Sequence, residues 1–506
     1  MIHENITTLA QLKKSGYQTK SIKQELRDNL INSLKKKQPT FQGIIGYDTT
    51  VIPDVERAIL SKHNILLLGL RGQAKTRIAR QMVNLLDEYI PIVKGSEILD
   101  DPLQPLSVFA KNLIAELGDE TPISWVHRSE RFGEKLATPD VTVADLIGDV
   151  DPIKAATQKL HYADERVLHF GIIPRCNRSI FVINELPDLQ ARIQVALFNL
   201  LEEGDLQIRG FKLRFPLDIQ FVFTANPEDY TNRGSIVTPL KDRIESQILT
   251  HYPKTIEDSK LITSQEADIS DEQKQKIIVP ELIKDLIEHI AFAARDSEFV
   301  DEKSGVSARL TIAAMENLIS TAERRMLINN EKQTVVRLSD FAGVFPAITG
   351  KIEMVYEGEQ EGSIRVAQNI LDKAIRNLFV QYFPNPTKAK KPRKNQPEEK
   401  NIYKAIQQYF ENGNVVDLLT DTSNEVYKNE LDKVLGLKET IEHHLKENLA
   451  NSELHTFMEF MLHGMAAYSL LSKFQLEEGN QFSDITSAMF NYGNDDVDDD
   501  LKELFK

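Results

Sequence analysis

The chain has 506 residues and a formal net charge of −15, from 61 lysine and arginine residues against 76 aspartate and glutamate residues. This length exceeds a single hydrophobic core and predicts about two to four domains. The acidic balance argues against sequence-independent binding to duplex nucleic acid. A single cysteine, Cys176, excludes an internal disulfide framework and a cysteine-based zinc site. The polar N-terminal residues and the lack of a long apolar run predict no signal peptide and no transmembrane segment, so we expect a soluble, cytoplasmic protein.

Residues 1–40 are predicted to form a basic, helical N-terminal extension. An apolar run, Ile65–Leu68, then predicts a buried parallel strand, which leads through a loop into an amphipathic helix that starts near Lys75. The loop has the spacing G-x-x-x-x-A-K-T, which is typical of a phosphate-binding loop between a strand and a helix. The alternative that this spacing leaves open is an ordinary strand-to-helix turn.

The residues of this loop carry the chemistry for holding phosphate groups. Backbone N–H groups and the helix N-terminus are expected to hold the phosphates, Lys75 to reach the β/γ oxygens, and Thr76 to offer its hydroxyl to Mg²⁺. Ala74 stands where a second glycine is expected, and Gly72 is expected to supply part of the missing backbone freedom. The predicted nucleotide-contacting residues are Gly69, Arg71, Gly72, Gln73, Ala74, Lys75, Thr76 and Arg77.

Two further apolar runs predict buried strands that also end in polar residues. Residues 179–185 end in Asn184 and Glu185, and residues 219–225 are followed by Asn226. Buried strands that alternate with helices predict an α/β core over residues 41–253, with a parallel sheet and right-handed crossovers. Hairpins are predicted at residues 160–173 and 205–217.

The remaining stretches are predicted to be irregular or helical. Prolines interrupt residues 91–139, which we expect to form an ordered insertion in the core. The pattern is helical over residues 254–383, where we expect a lid domain, and a basic proline-rich linker follows at 384–400. Residues 401–506 are predicted to form an all-α C-terminal domain with an acidic tail.

Parallel strands present their carboxyl ends at one edge of a sheet, where open α/β sheets bind ligands. This edge is expected to bring together Lys75, Thr76, Asn184, Glu185 and Asn226. Hydrolysis of a nucleoside triphosphate needs a phosphate cradle, a metal position and a carboxylate that orients or deprotonates water. Glu185 is the candidate for that carboxylate, and Asn226 for polarising the same water or contacting the γ-phosphate. The competing interpretation of Glu185 is a favourable charge at a helix N-terminus.

The order of these motifs resembles the AAA+ ATPases, and in particular the ATPase subunit of magnesium chelatase and its MoxR-type relatives. The resemblance extends over roughly residues 41–380. It is carried by residues 69–76, FVINELPDL at 181–189, ANPEDY at 225–230, TNRGSIVTPLKDR at 231–243 and SAR at 307–309. The resemblance implies an AAA+ core with hairpin insertions and a helical lid, which binds ATP and Mg²⁺.

Within the core, the resemblance implies a role for each motif residue. Lys75 and Thr76 are similar to the Walker A pair, and Glu185 is similar to the catalytic Walker B glutamate. Asn184 stands where most relatives carry aspartate. With Thr76 it is expected to face the metal, but an uncharged amide should hold Mg²⁺ less strongly, so slow hydrolysis is expected. Asn226 is similar to the sensor 1 residue.

Three arginines are implied to complete the site. Arg243 is similar to the arginine finger that a neighbouring subunit supplies, with Arg233 assisting, and Arg309 is similar to the sensor 2 arginine of the lid. A site shared between subunits implies a ring, usually a hexamer in this family. For an isolated arginine, a surface salt bridge is the competing interpretation.

The resemblance leaves several functions open. The first is a ring ATPase that remodels or activates a partner protein, or that serves metal insertion, with a von Willebrand A domain supplied by another chain. The second is a nucleotide-gated scaffold with little hydrolysis, which Ala74 and Asn184 favour. The third is a nucleic-acid motor, favoured only by basic residues at 209–214 and 388–394 and opposed by the net charge.

Overall fold

The computed structural model describes residues 5–151, 153, 156–157, 167–202, 205–206, 215–227, 235–386, 402–445, 450, 452–476 and 478–485. The chain folds into two compact units, Met1–Tyr252 and Pro253–Lys506. Within the described ranges, no helix combines the length and the apolar character that crossing a membrane requires.

The first unit alternates strands and helices. Its strands are β1 (Ile65–Leu68), β2 (Tyr89–Val93), β3 (Ile123–His127), β4 (Phe132–Leu136), β5 (Gly148–Val150), β6 (Leu168–Phe170), β7 (Ser179–Asn184), β8 (Asp205–Leu206), β9 (Phe215–Pro216), β10 (Ile219–Ala225) and β11 (Ser246–Leu249). Its helices are α1 (Leu9–Lys14), α2 (Ile22–Lys35), α3 (Val51–Leu60), α4 (Lys75–Gln81), α5 (Val108–Leu117), α6 (Val143–Leu146), α7 (Ile172–Arg175), α8 (Ala191–Ala196), α9 (Phe198–Glu202) and α10 (Thr238–Asp242).

A parallel five-stranded sheet in the order β11-β1-β10-β7-β4 forms the centre of this unit. The side chains of β1, β7 and β10 are buried along their whole length, as their apolar sequences predict for the inner strands of a parallel sheet. Register pairs Leu68 with Ala225 and Phe223 with Ile183, so the carboxyl ends of these three strands lie side by side. The predicted α/β fold is confirmed.

Successive residues of the inner strands pack into two separate cores, one on each face of the sheet. Leu66 and Phe181 belong to one hydrophobic cluster, and Leu67 and Val182 belong to the other. This division follows from the two-residue repeat of a strand, which directs neighbouring side chains to opposite faces. Both faces are therefore covered, as a parallel sheet requires.

The N-terminal helix α2 packs against the sheet as part of the first unit. Ser21 caps it by accepting a hydrogen bond from the backbone of Gln24. Ile22 and Leu26 on its buried face join the core that contains the odd-numbered residues of β1. These contacts show that the predicted N-terminal extension contributes to the core of the first unit.

The predicted insertion at residues 91–139 is corrected by the sheet topology. This stretch contains most of β2, all of α5 and β3, and the strand β4, which pairs in parallel with β7 as the fifth strand of the central sheet. The sequence of β4 was not recognised because an edge strand has only one neighbour and is half-exposed. Its residues therefore lack the continuous apolar pattern of an inner strand.

The two predicted hairpins have different outcomes. Strands β8 and β9 pair antiparallel and form the hairpin expected at 205–217, although residues 207–214 between them lie outside the described part. Residues 160–166 of the hairpin expected at 160–173 lie outside the described part, and within the remainder β6 pairs antiparallel with β5 rather than with a strand across Gly171. Gly171 instead precedes helix α7, and a Cβ atom there would meet the backbone of Leu146 and Ile147.

The second unit is mainly helical. Its strands are β12 (Ile277–Ile278), β13 (Thr334–Val335), β14 (Val416–Leu419), β15 (Ser472–Leu476) and β16 (Gly479–Ser483). Its helices are α11 (Ile256–Glu266), α12 (Asp271–Lys276), α13 (Glu281–Arg295), α14 (Arg309–Ile328), α15 (Phe345–Thr349), α16 (Tyr356–Glu361), α17 (Ser363–Tyr382), α18 (Lys404–Glu411), α19 (Asn424–Asp432), α20 (Leu437–His444) and α21 (Leu454–Ala467).

The expectation of an all-α C-terminal domain is corrected by a three-stranded antiparallel sheet in the order β14-β16-β15. Its strands are short and partly exposed, so the helical pattern of the surrounding sequence masked them. One hydrophobic cluster runs from Ile277 to Phe482 and joins helices on both sides of the predicted linker. Residues 387–400 of that linker and the acidic tail lie outside the described residues.

Candidate nucleotide-binding site

Two residues of the loop between β1 and α4 have left-handed backbone conformations. Gly72 has a φ of +73° and Ala74 has a φ of +55°. This conformation costs a residue other than glycine about 1–2 kcal/mol. Gly72 therefore supplies backbone freedom as expected, but Ala74 also adopts the geometry that favours glycine.

The side chain of Lys75 lies over the loop that precedes it. Its ammonium group donates to the carbonyl oxygens of Gly69 and Leu70, the latter at 2.9 Å, and the residue is buried. The backbone N–H of Gly69 donates to the carbonyl of Ala225 at 3.1 Å, which fixes the start of the loop to β10. The positive charge therefore lies within the loop, where a phosphate oxygen would compete with these carbonyl groups for it.

Residues from outside the motif hold the loop in place. The Thr250 hydroxyl donates to the side-chain oxygen of Gln73 at 2.6 Å, and both residues are buried. The Tyr47 hydroxyl lies 3.1 Å from the carbonyl oxygen of Gln73, and the Tyr252 hydroxyl donates to the carbonyl of Arg71 at 3.1 Å. Burial raises the pKa of Tyr47 to about 12, so this hydroxyl keeps its proton at neutral pH.

Thr76 and Asn184 meet at the predicted metal position. The Thr76 hydroxyl lies 3.4 Å from Oδ1 of Asn184, and the Thr224 hydroxyl donates to the same oxygen at 3.1 Å. The Asn184 amide nitrogen donates to Glu134 on β4 at 2.6 Å. Oxygen ligands from hydroxyl and amide groups fit Mg²⁺, a hard cation that is usually held by few protein ligands together with phosphate oxygens.

Glu185 and Asn226 follow the carboxyl ends of β7 and β10. Glu185 is held with a φ of +55°, and its backbone N–H donates to the Thr224 hydroxyl at 3.2 Å. Asn226 is buried directly after Ala225, which pairs with Leu68 of β1. The strand ends thus bring Lys75, Asn226 and Glu185 to one edge of the sheet. A left-handed conformation at a residue such as Glu185 is uncommon and is concentrated at functional sites.

The arginines of the predicted site lie further along the chain. Arg243 follows α10 and forms a salt bridge with Glu202 at 2.6 Å, while its guanidinium lies 5.3 Å from the ring centre of Phe198. Arg309 is the first residue of α14 in the second unit. Arg77 lies in the first turn of α4. Arg233 lies outside the described residues.

The sequence pattern does not predict five residues of this site: Tyr47, Glu134, Thr224, Thr250 and Tyr252. Thr224 could have been found, because it lies at the carboxyl end of β10, two residues before Asn226, where the predicted site residues gather. The other four reach the site through contacts with distant parts of the chain. No local pattern in the sequence indicates those contacts.

No protein-family model matches the chain, and no curated protein is significantly similar to it in sequence. Among solved structures, the chain is similar to a protein of Cytophaga hutchinsonii described as an ATPase, with 17% identity over 72% of this chain and 98% of that one and a TM-score of 0.28. It is similar to NtrX from Brucella abortus in complex with ADP, with 13% identity over 65% and 62% of the two chains and a TM-score of 0.36. It is also similar to a magnesium chelatase BchI–BchD complex, with 16% identity over 61% and 93% and a TM-score of 0.30. The chain resembles AAA+ ATPases, and its own motif order and parallel sheet are the features that carry this resemblance.

Proposed function

We propose that this protein binds Mg-ATP at the loop of residues 69–76 and hydrolyses it as an AAA+ ATPase. One observation carries the proposal. The inner strands β1, β10 and β7 lie side by side, and their ends bring a buried lysine, a hydroxyl, two amides and a carboxylate to one edge of the sheet. This is the position at which open α/β sheets bind ligands.

Each residue has a chemical task in the proposed reaction. Lys75 gives up its carbonyl partners for phosphate oxygens, and its charge stabilises the transferred group. Thr76 and Asn184 offer oxygens to Mg²⁺, which neutralises charge on the β and γ phosphates. Glu185 orients or deprotonates the attacking water, and Asn226 donates its amide to that water or to the γ-phosphate.

The arginines make the proposed reaction dependent on assembly. Arg243 completes the site of a neighbouring subunit, and Arg309 keeps the sensor 2 role that the resemblance implies for it. We therefore propose a ring oligomer, with a hexamer as the expected size. In this proposal the ring uses hydrolysis to remodel or activate a partner protein, and a chain that carries a von Willebrand A domain is the expected partner.

A nucleotide-gated scaffold is the second candidate. It is favoured by Asn184, an amide where most members of the resembled family have an acidic residue, because an uncharged ligand contributes less to holding Mg²⁺ during turnover. In this case ATP would bind and change the assembly, while hydrolysis would remain very slow. Binding and turnover measured on the same protein separate the two functions.

The first experiment measures binding of mant-ATP in the presence of Mg²⁺. Lys75→Ala is expected to weaken binding at least tenfold. Lys111→Ala, which removes an exposed lysine from α5 of the same unit, serves as the control and should bind normally. Equal binding by wild-type protein and Lys75→Ala, both folded, would contradict the assignment of this loop.

The second experiment measures ATP turnover per subunit against protein concentration. An assembled ATPase should show turnover that rises with concentration and is lost in Glu185→Gln, while mant-ATP binding persists. Tight binding without turnover at any concentration would favour the scaffold. Turnover that is independent of concentration would contradict sites shared between subunits.

A further inference from the structure

The carboxylate of Glu134 is the acidic group that contacts Asn184. Glu134 lies on the edge strand β4, and its Oε1 accepts a hydrogen bond from the Asn184 amide nitrogen at 2.6 Å. The side chain of Glu134 is 22% exposed, and Asn184 is buried. Asn184 itself carries no negative charge, but the neighbouring strand β4 places the carboxylate of Glu134 at hydrogen-bonding distance from it.

This contact fixes which way the Asn184 amide faces. A carboxylate accepts hydrogen bonds and does not donate them, so the amide nitrogen must face Glu134. The amide oxygen consequently faces the hydroxyls of Thr76, at 3.4 Å, and Thr224, at 3.1 Å. Glu134 therefore turns the only side-chain atom of Asn184 that can bind a cation toward the predicted metal position.

The contact also affects the charge on that oxygen. A hydrogen bond from an amide nitrogen to a carboxylate is charge-assisted, and bonds in series polarise one another. The Asn184 oxygen therefore carries more negative charge than it would next to a neutral acceptor. The full charge of Glu134 adds a through-space attraction for a cation at the same position.

Arg80 is a competing partner of Glu134. Its Nε and Nη2 donate to the two carboxylate oxygens at 2.8 and 3.1 Å, and its side chain is 63% exposed. An exposed ion pair of this kind contributes little stability. Arg80 nevertheless places a positive charge near the cation position, so its effect on a bound cation should be opposite to that of Glu134.

We propose that Glu134 is a positioning residue for the Mg²⁺ of the bound nucleotide. Through its contact with Asn184, Glu134 supplies the negative charge that the motif position lacks. This inference rests on the proposed nucleotide-binding function. It assigns to β4, an edge strand that the motifs do not include, a role in metal binding.

The test measures the Mg²⁺ concentration that gives half of the maximal increase in mant-ATP affinity. Glu134→Gln should raise this concentration about tenfold or more, since loss of a residue that orients a metal ligand typically costs 10- to 100-fold in metal affinity. Arg80→Ala should lower it. If Glu134 served only to bind Arg80, both variants would shift the value in the same direction, and that result would overturn the proposal.

Exchanging the amide of Asn184 and the carboxylate of Glu134 between the two positions gives a sharper test. Asn184→Asp places two carboxylates side by side and removes the amide donor, so it should lower the melting temperature in EDTA without nucleotide. The double variant Asn184→Asp with Glu134→Gln restores an amide facing a carboxylate, and we expect it to recover the melting temperature. It should also recover much of the Mg²⁺ dependence of wild-type protein, because substitutions at residues in contact are coupled rather than additive.

The outcomes separate this inference from the proposed function. Wild-type protein that binds mant-ATP with a clear Mg²⁺ dependence, together with a Glu134→Gln variant that shifts it less than twofold, would overturn the inference and leave the function standing. Absence of nucleotide binding by wild-type protein would overturn both. If Asn184→Asp and Glu134→Gln change the melting temperature in EDTA additively, the two side chains are not energetically coupled. That result would overturn the inference by a measurement that needs no ligand.

Discussion

The Thr250 hydroxyl donates to the buried side-chain oxygen of Gln73 at 2.6 Å, and this bond joins the phosphate-loop candidate to the residue that follows strand β11. Gly69 at the start of the loop lies against the same pair, so that a Cβ atom there would collide with both side chains. The loop is thus held by the edge strand β11 as well as by its own conformation.

Thr250→Val should weaken this support. The substitution leaves the buried oxygen of Gln73 without its donor, and an unsatisfied buried acceptor costs about 1–3 kcal/mol. We expect a lower free energy of unfolding and weaker mant-ATP binding. Thr121→Val is the matched control, since Thr121 is also buried and donates to the carbonyl of Gly118 at 2.6 Å, away from the loop. Unchanged nucleotide affinity in Thr250→Val would contradict the supporting role.

Ala74→Gly should stabilise the protein slightly. The left-handed conformation of Ala74 lowers the free energy of unfolding by about 1–2 kcal/mol. A glycine there would avoid this cost, but its extra freedom in the unfolded chain would lower the free energy of unfolding by about 0.5–1 kcal/mol. The net expected gain is about 0.5 kcal/mol, measured by urea unfolding, with mant-ATP affinity retained. Ala79→Gly, in the body of α4, should instead destabilise by about 1 kcal/mol or more. A loss of stability in Ala74→Gly as large as that in Ala79→Gly would be inconsistent with the observed backbone conformation.

Two inactive variants should restore activity to each other when mixed. Arg243→Ala keeps its own Glu185 but offers no arginine to a neighbour, whereas Glu185→Gln has the reverse deficiency. If Arg243 leaves its salt bridge with Glu202 to reach an adjacent subunit, mixed rings contain complete sites. We expect ATP turnover in the mixture well above that of either variant alone. The control is a mixture of Glu185→Gln with the double variant that carries both Arg243→Ala and Glu185→Gln. If turnover in the test mixture is no greater than turnover in this control mixture, a shared site is excluded.

The buried carboxyl of Glu459 should make the stability of the second unit depend on pH. It accepts hydrogen bonds from the backbone N–H groups of Leu338 and Ser339 and from the Tyr427 hydroxyl, at 2.9, 2.8 and 2.8 Å. Burial raises its pKa to about 7 despite these donors and the nearby guanidinium of Arg337. Because the folded-state pKa is raised, the stabilising contribution is complete below about pH 4.5 and is lost as the pH rises through 7. The expected loss is about 3 kcal/mol, at 1.36 kcal/mol per pKa unit.

The effect is measured as the difference in unfolding free energy between wild-type protein and Glu459→Gln across pH 4.5–8. The difference is needed because burial holds the pKa of His463, 3.9 Å from Glu459, well below its usual range. That histidine destabilises the fold as the pH falls through about 6.5, which opposes the Glu459 effect in wild-type protein. Glu442→Gln, at an exposed position of α20, should show no such difference. A constant difference between wild type and Glu459→Gln would contradict the raised pKa.

The inner part of the sheet could be predicted from the sequence because its strands are apolar along their whole length. Residues 65–68, 179–184 and 219–225 have to be buried on both faces, so their type, direction and neighbours follow from composition and from the rules for parallel sheets. The polar residues after these strands were placed at one edge for the same reason. The positions of Lys75, Thr76, Asn184 and Asn226 therefore needed no knowledge of distant contacts.

The sequence alone determined the loop, the inner strands and the order of the motifs, since each is encoded within a few consecutive residues. The tertiary structure decided which strands close the sheet and which side chains support the site. Glu134 reaches Asn184 from 50 residues away and Thr250 reaches Gln73 from 177 residues away. Edge strands bury only one side, and hydrogen bonds between distant residues leave no periodic pattern. These features were fixed only when the folded chain brought the residues together.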